Sequence, residues 1–490
     1  MWSAFFGLVT LLGVSRIYTK YVAALQLYNH VPGFRPLFDP QSPLGSLIPT
    51  CWWNPGYLWP WIWRKTSYFN HQHDVISMVP VLVGQPCYYI GSVEVMRQLF
   101  GQEGKIQLVK PLELTTAKIW GDSIASSSGD MWKRHRRIVG PAFNAKNYSL
   151  VATESVRTFR AMFSVEGWET QKEIVIPEIN TIILRFTFLI MARCGFGLPV
   201  SWESKHDGSE MAFLEEALSV TSNTLIPRFI IPRWAYYLPI KKLREIDRAW
   251  NTVLRLMGKL VVTRKQDLSL EDDSGRYSDI LTRLVNASDG LETSASVLVT
   301  TIVCLAINQG EQEKAFNEVQ EHIPSDRDPE LDDVKNLSHI SACLQEAQRL
   351  IPALLLMPRD VMENVTIKVT HPQEGFVTFQ KGARVVVDDI SIHHNPIYFL
   401  QPDKYIPSRW YGKSEHDNPG FGPRACIGRK FAQTEATLFL CLLLRDWQLD
   451  VVLKDGESKA EYEERVLGNA SLVGTAFGVG LVPIKLSRRR

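Results

Sequence analysis

Cys426 lies in the run Asn418-Pro-Gly-Phe-Gly-Pro-Arg-Ala-Cys-Ile-Gly-Arg-Lys-Phe-Ala432. A loop dense in Gly and Pro gives way there, at one thiol, to an apolar helical pattern (Phe431, Ala436, Leu438 to Leu444). The spacing predicts a thiol at a helix N-terminus, beside Arg424 and Arg429. The helix dipole and the two cations suit a thiolate at that place. Gly422 and Gly428 carry no bulk, so backbone can approach a flat metal cofactor held by the sulfur. A core cysteine before a buried helix is the plainer reading. With 31 Gly and 7 Cys in 490 residues, Gly-x-Arg-x-Cys-x-Gly arises by accident about once in a thousand such chains. Chance is the weaker explanation.

Two further pairs have chemically useful spacing. Trp132 and Arg136 stand one helical turn apart and can face one target, with the Arg fork suited to a carboxylate. Taken alone, the run Trp132 to Arg137 also reads as a solvated basic face. Glu346 and Arg349 make an i,i+3 pair, which on a surface is worth only about a few tenths of a kcal/mol.

The Cys426 run resembles the haem-ligand loop of cytochromes P-450, whose iron carries an axial Cys thiolate. Three further motifs follow the family's order, so the resemblance spans roughly residues 70 to 486. It is closest to the membrane-bound, eukaryotic microsomal type and above all to fungal members. It implies a mainly α cytochrome P-450 fold, a large helical domain with small β-sheets around a buried haem. Cys426 is then the ligand of heme b, in a loop shaped by Phe421, Gly422 and Gly428. Trp132, Arg136, Arg359 and Arg424 would reach the haem propionates. Glu346 and Arg349 would share a charge network with Arg409 of Tyr405-Ile-Pro407-Ser-Arg409-Trp410, where Tyr405 replaces the usual Phe. That role is structural, and breaking such a buried network costs roughly several kcal/mol.

Asp289-Gly290-Leu-Glu292-Thr293-Ser294 resembles the distal-helix motif, in which acid and alcohol relay protons to bound oxygen. A Thr bonding back to its own helix carbonyl is the simpler alternative for Thr293. The chain departs from the family in two further places. Pro419 occupies the aromatic position seven before the cysteine. Asn286-Ala-Ser-Asp-Gly290 reads as a turn or cap where the family has several apolar turns. The distal helix is therefore expected at about Leu291 to Ile307, roughly 26 Å long. Glu292 and Thr293 would stand at its start, and half of the usual distal wall would be missing.

The composition fits one large domain. No linker, charge block or repeat divides the chain after residue 70, and 45% apolar content is ample for a core. A net charge of +2 argues against a general electrostatic role with nucleic acid. Cys304, Cys343 and Cys441 lie in apolar helical runs and read as reduced core thiols. Residues 1–28 read as an N-terminal membrane anchor, 29–69 as a Pro/Trp-rich membrane-proximal segment, and 70–490 as the catalytic domain. The uncharged stretch Trp2 to Val14 is short for a span, at about 20 Å against ~30 Å. It lacks the basic n-region of a signal peptide. Other readings are an anchor tilted into the surface and a helix continuing through Tyr18 and Val22 to Leu27. Arg16 and Lys20 predict that the chain beyond stays cytosolic. The aromatics of Cys51 to Trp63 suit either headgroup contact or packing into the domain. Resemblance to endoplasmic-reticulum members implies that membrane, with the catalytic domain facing the cytosol.

Strands are expected at Val75 to Val79, Cys87 to Ile90, Val365 to Val369, Phe376 to Phe379, Arg384 to Val387, Trp447 to Val452 and Leu481 to Leu486. Helices are expected from near Ser92, from Gly129 to near Pro141, and at about 150–165, 179–194, 209–224 and 240–265. Two more are expected at Gly310 to His322 and Ser338 to Leu350. The apolar, Pro-punctuated loop Ile226 to Pro239 suggests a membrane-dipping substrate entrance or a segment buried under helices.

The resemblance implies a monooxygenase that inserts one oxygen atom from O2 into an apolar small molecule. No flavin or nicotinamide domain is evident. Electrons would come from a separate NADPH–cytochrome P-450 reductase, with cytochrome b5 as a further donor, docking on Lys133, Arg134, Arg137, Arg429 and Lys430. Gln107 to Trp120, Pro352 to Met357 and Ser471 to Phe477 would line the substrate. The competing readings are a haem-thiolate isomerase or dehydratase without O2 activation, and a non-catalytic haem-binding product of a damaged gene.

Overall fold

The computed structural model describes residues 2–65, 73–100, 108–111, 123–198, 200–203, 214, 216–218, 220–221, 224–270, 288–413, 425–474 and 476–489. The long helices are α1 (Trp2–Leu27), α2 (Gly129–Val139), α3 (Ala145–Val165), α4 (Ile179–Ile190), α5 (Lys241–Leu270), α6 (Ser288–Ile307), α7 (Gln309–His322), α8 (Ser338–Leu350) and α9 (Arg429–Asp446). In α9 every residue from Leu438 to Leu444 is buried. Apolar on all sides, it must be enclosed by other elements. α6 is alike, with Leu298, Ile302, Val303 and Leu305 fully buried. These helices pack with α3 and α4 around one core, where Phe186 and Phe439 meet edge to face at 4.7 Å.

The strands are β1 (Gly33–Phe34), β2 (Val75–Met78), β3 (Cys87–Ile90), β4 (Leu108–Val109), β5 (Glu173–Ile176), β6 (Leu356–Val361), β7 (Val365–Val369), β8 (Gly375–Phe379), β9 (Arg384–Asp388), β10 (Trp447–Val451), β11 (Ser471–Val473), β12 (Ala476–Gly478) and β13 (Ile484–Arg488). The main sheet has the order β1-β2-β3-β9-β6-β4, and the smaller ones are β10-β13-β5, β11-β12 and β7-β8. β2, β3 and β9 are buried on both faces, in keeping with their largely apolar sequences. β7 alternates, with Val365, Ile367 and Val369 inward and Thr366 and Lys368 outward. The fold is mainly α with small sheets, as expected. β1, β4, β5, β6, β11 and β12 were not anticipated, and most of the helix expected at 209–224 lies outside the described residues.

The N-terminal helix takes the longer of its readings and continues through Tyr18 and Val22 to Leu27. α1 runs unbroken for 26 residues, about 39 Å, and Phe5–Leu27 within it is long and apolar enough to cross a membrane. It ends on Tyr28, which is 1% exposed. The Tyr28 hydroxyl donates to the Pro86 carbonyl and accepts the Arg384 backbone N–H at 3.0 Å, so the root of α1 is seated on the main sheet. The Trp-rich segment divides. Trp59 and Trp61 are buried, Trp61 meeting Phe477 edge-on at 5.2 Å, whereas Trp52 is 91% exposed.

Candidate functional site

Cys426 precedes by two residues Gly428, which caps α9. Its thiol is free of any disulfide and exposed. A Cβ on Gly428 would stand 4.0 Å from the Cys426 sulfur and 4.0 Å from the Phe143 ring. That is ordinary van der Waals contact, so the polypeptide itself does not demand glycine there. Phe421, Gly422, Arg424 and Pro419 lie outside the described residues.

α2 reaches the same loop. Arg136 Nη1 donates to the carbonyl of Ala425 at 3.1 Å, which places a guanidinium against the peptide that carries Cys426. Trp132, one turn earlier, is half-buried like Arg136, whereas Lys133, Arg134 and Arg137 are exposed. Helical periodicity thus divides the basic run into an inward pair and an outward face. Lys430, in the first turn of α9, holds its ammonium 5.1 Å from the centre of the Tyr148 ring. Arg359 lies on β6, 8% exposed, with its guanidinium 5.3 Å from the centre of the Phe100 ring and Nη1 donating to the Pro358 carbonyl at 2.8 Å.

The Glu346 carboxylate is fully buried and collects five donors. Arg349 Nε and Nη2 each donate at 2.9 Å, Arg409 Nε at 3.0 Å, the Trp410 indole at 2.9 Å and the Ile406 backbone N–H at 2.9 Å. Arg349 also donates to the carbonyls of His393, Pro402 and Lys404 at 2.8, 2.7 and 3.1 Å. α8 is thereby stitched to the segment 393–410. Glu346, Arg349 and Arg409 come together as their spacing suggested. The Trp410 indole, present in the same motif, was overlooked as a partner.

α6 begins at Ser288, three residues before the expected start. Of the turn and helix-cap readings of this segment, the turn is corrected, since Ser288, Asp289 and Gly290 belong to the start of the helix. Ser and Asp are well placed in a first turn, where N–H groups are unpaired and the dipole favours negative charge. The preceding residues 283–287 lie outside the described residues. At 20 residues α6 is about 30 Å long, and Glu292 and Thr293 fall at its first-to-second turn as expected. Glu292 is 7% exposed, its carboxyl packed against Gly474 of the turn between β11 and β12. Ser294 hydrogen-bonds the carboxyl of Glu435 on α9, which burial pushes up from 4.5 to about 8. Sequence reasoning missed Glu435, although a lone acid inside the run Phe431 to Leu444 is a visible signal.

An accessible thiol, a guanidinium against its peptide, and a second cation buried in the sheet make a donor set that fits a planar iron cofactor with carboxylate edges. The buried acids of α6 and α9 add groups able to hold protons.

The family model described as Cytochrome P450 matches residues 62–289 and 282–472. Cytochrome P450 monooxygenase 124 of Postia placenta is 26% identical over 97% of this chain and 96% of its own length. A cytokinin hydroxylase of Arabidopsis thaliana is 25% identical over 66% of this chain and 65% of that protein. Cytochrome P450 4F1 of Rattus norvegicus is 25% identical over 80% of this chain and 79% of that protein. Among solved structures, the cytochrome P450DA heme domain superposes with a TM-score of 0.71 at 18% identity, covering 94% of this chain and 99% of that one. A zebra fish cytochrome P450 with progesterone gives 0.65 at 19% identity, covering 85% and 96%.

Proposed function

This chain belongs to the cytochrome P450 family and is a monooxygenase, and we propose that it inserts one oxygen atom from O2 into an apolar small molecule, by hydroxylation or epoxidation. The family carries haem on a cysteine thiolate. Here the haem is heme b and the ligand Cys426, with Trp132, Arg136, Arg359 and Arg424 toward its propionates and Phe421, Gly422 and Gly428 shaping the loop. When bound, the haem supplies dioxygen activation at its iron.

The chain's own residues do the rest. Cys426 holds the metal. Arg136 fixes the Ala425 carbonyl and with it the loop. The network of Glu346, Arg349 and Arg409 holds the segment leading into that loop. Glu292 and Thr293 pass protons on the distal side.

Electrons come from a separate NADPH–cytochrome P-450 reductase, with cytochrome b5 as a further donor. Exposed Lys133, Arg134 and Arg137 stand on the helix whose Arg136 touches the Cys426 loop and offer an acidic partner its docking patch. The protein is anchored in the endoplasmic-reticulum membrane by residues 1–28, with 29–69 beside the lipid and 70–490 as a catalytic domain in the cytosol. Exposed Trp234 (66%) and Tyr237 (86%) support a second lipid contact through which apolar substrate enters.

The observation that carries this reading is the Arg136 bond to Ala425, since it sets a cation beside an exposed thiol in a family-matched loop. The test supplies reductase, NADPH and isotopically heavy O2 with a panel of apolar small molecules. One heavy atom per product molecule is expected. Turnover that proceeds without O2 would instead mark an isomerase or dehydratase.

A further inference from the structure

A cavity of about 540 Å³ opens between α3, α8, α9 and the turns at 331–337 and 410–413. That size falls in the usual range of small-molecule pockets, roughly 300–1,000 Å³. None of its described lining belongs to α6 or to the β11–β12 hairpin, so it is separate from the distal site. Leu331, Val334, Ala342 and the Trp410 ring give it an apolar wall. The aromatic part of the lining is preformed. The Trp410 indole donates to Glu346 at 2.9 Å, and the Tyr411 hydroxyl meets His339 Nδ1 at 2.6 Å. Gly412, at a φ of +67°, then turns the chain back, and the Lys413 N–H reaches the Trp410 carbonyl at 3.3 Å.

Three lysines line the cavity against one acid. Lys335 is engaged with that acid, Asp332, at 2.9 Å. Lys413 and Lys430 are not. Their ammonium groups stand 5.5 Å from the centre of the Trp410 ring and 5.1 Å from that of Tyr148, and neither meets a carboxylate among the described residues. A cation over a ring at an exposed site gains little by itself, so both charges are available to an anion. Ser341 adds a donor. Its Oγ accepts from Gln433 Nε2 at 2.9 Å and from Gln345 Nε2 at 3.4 Å. With both lone pairs taken, its proton needs an acceptor, and the described residues supply none. Two unmatched cations and one open hydroxyl thus share a cavity with an apolar wall.

We propose that this cavity binds a small molecule with an anionic head (a carboxylate, sulfonate or phosphate monoester) on an apolar body, and that its occupancy slows electron delivery. The head takes Lys413, Lys430 and the Ser341 hydroxyl, and the body lies against Trp410. The slowing rests on the reading of Lys430 as part of the surface that receives the electron donor. Lys430 stands four residues after Cys426, in the first turn of α9. A ligand that neutralises it removes one of the cations an acidic donor would meet.

The experiment uses the haem-loaded full-length protein, its distal side filled with 1-dodecylimidazole. Calorimetric titration with naphthalene-2-sulfonate at low salt should show one site per chain. The uncharged naphthalene-2-sulfonamide should bind roughly tenfold more weakly, the scale of a lost hydrogen bond to a charged group. Lys413→Glu, Lys430→Glu and Ser341→Ala should each weaken the sulfonate by about the same factor. Lys381→Glu, an exposed position in the turn between β8 and β9, should leave it unchanged. Circular dichroism confirms that each variant is folded. Without the azole, the sulfonate should slow stopped-flow reduction by the reductase several-fold and leave the Soret band in place, and Lys413→Glu should lose that slowing. The site is overturned by the absence of saturable binding, by equal affinity for the sulfonamide, or by an equal loss in Lys381→Glu. Bound sulfonate that leaves the reduction rate unchanged overturns the slowing. Failure of the ligand-free protein to accept electrons would overturn the slowing together with the monooxygenase reading, and the titration would still decide the site.

Discussion

Glu346 and Arg349 form a two-pronged ion pair inside the protein, with Nε and Nη2 of the arginine donating at 2.9 Å to separate carboxylate oxygens. Parallel bonds of this kind fix orientation as well as charge. Arg409 and the Trp410 indole complete the shell around the carboxylate, and the remaining donors of Arg349 take three backbone carbonyls. Removing the acid alone would strand two guanidinium groups, an indole N–H and a backbone N–H. Glu346→Ala should therefore cost about 3–5 kcal/mol and reduce haem retention. Chemical denaturation and haem content per chain check both. Retention of full stability would show that water replaces the carboxylate.

The outward face of α2 offers a separate test. Lys133 and Arg137 are exposed on the helix whose Arg136 touches the Cys426 loop. Lys133→Glu with Arg137→Glu should lower the reductase-supported rate roughly tenfold at low salt and weaken its salt dependence. The visible spectrum should stay as in the wild-type protein. Stopped-flow reduction at several ionic strengths gives the answer.

Burial makes the neutral form of Glu435 the favoured one, its carboxyl being pushed from 4.5 up to about 8. Below the unfolded value both states hold the proton and the stabilising contribution is whole. Between about 4.5 and about 8 the unfolded chain ionises first, so stability falls as pH rises and levels off beyond. Glu435→Gln keeps the shape and removes the titration. The unfolding midpoint should decline across this window in the wild-type protein and decline less in the variant. Parallel slopes would mean that the carboxyl is already ionised in the fold.

Much of this was legible because local pattern and tertiary packing agree. Ser338 to Leu350 and Cys87 to Ile90 have the ends that periodicity assigned, and the Glu346, Arg349 and Arg409 spacing led to one buried cluster. The failures have physical causes. β6 contains Pro358, which argues against a strand. It is tolerated because β4 pairs only with Asp360 and Val361, leaving the proline beyond its partner's reach on that side. The N-terminus is not among them: the helix through Leu27 was one of its readings, and Arg16 and Lys20 interrupt the apolar stretch without interrupting the helix, since both are straight-chain residues with good helix propensity. Gly474 and Gly478 are visible as turn and strand glycines, but nothing local says that Glu292 and Ser296, far away in the chain, fill their notches. Contacts of that separation belong to the fold rather than to any window of sequence.

The central claim is that the Cys426 sulfur holds the iron. It is tested most directly by the carbon monoxide spectrum of the reduced, haem-loaded protein and of Cys426→Ala, with circular dichroism confirming that both are folded. The account predicts a strongly red-shifted Soret band in the wild-type protein and its loss in the variant. The same band in Cys426→Ala, or a folded wild-type protein that takes up no haem, would contradict it.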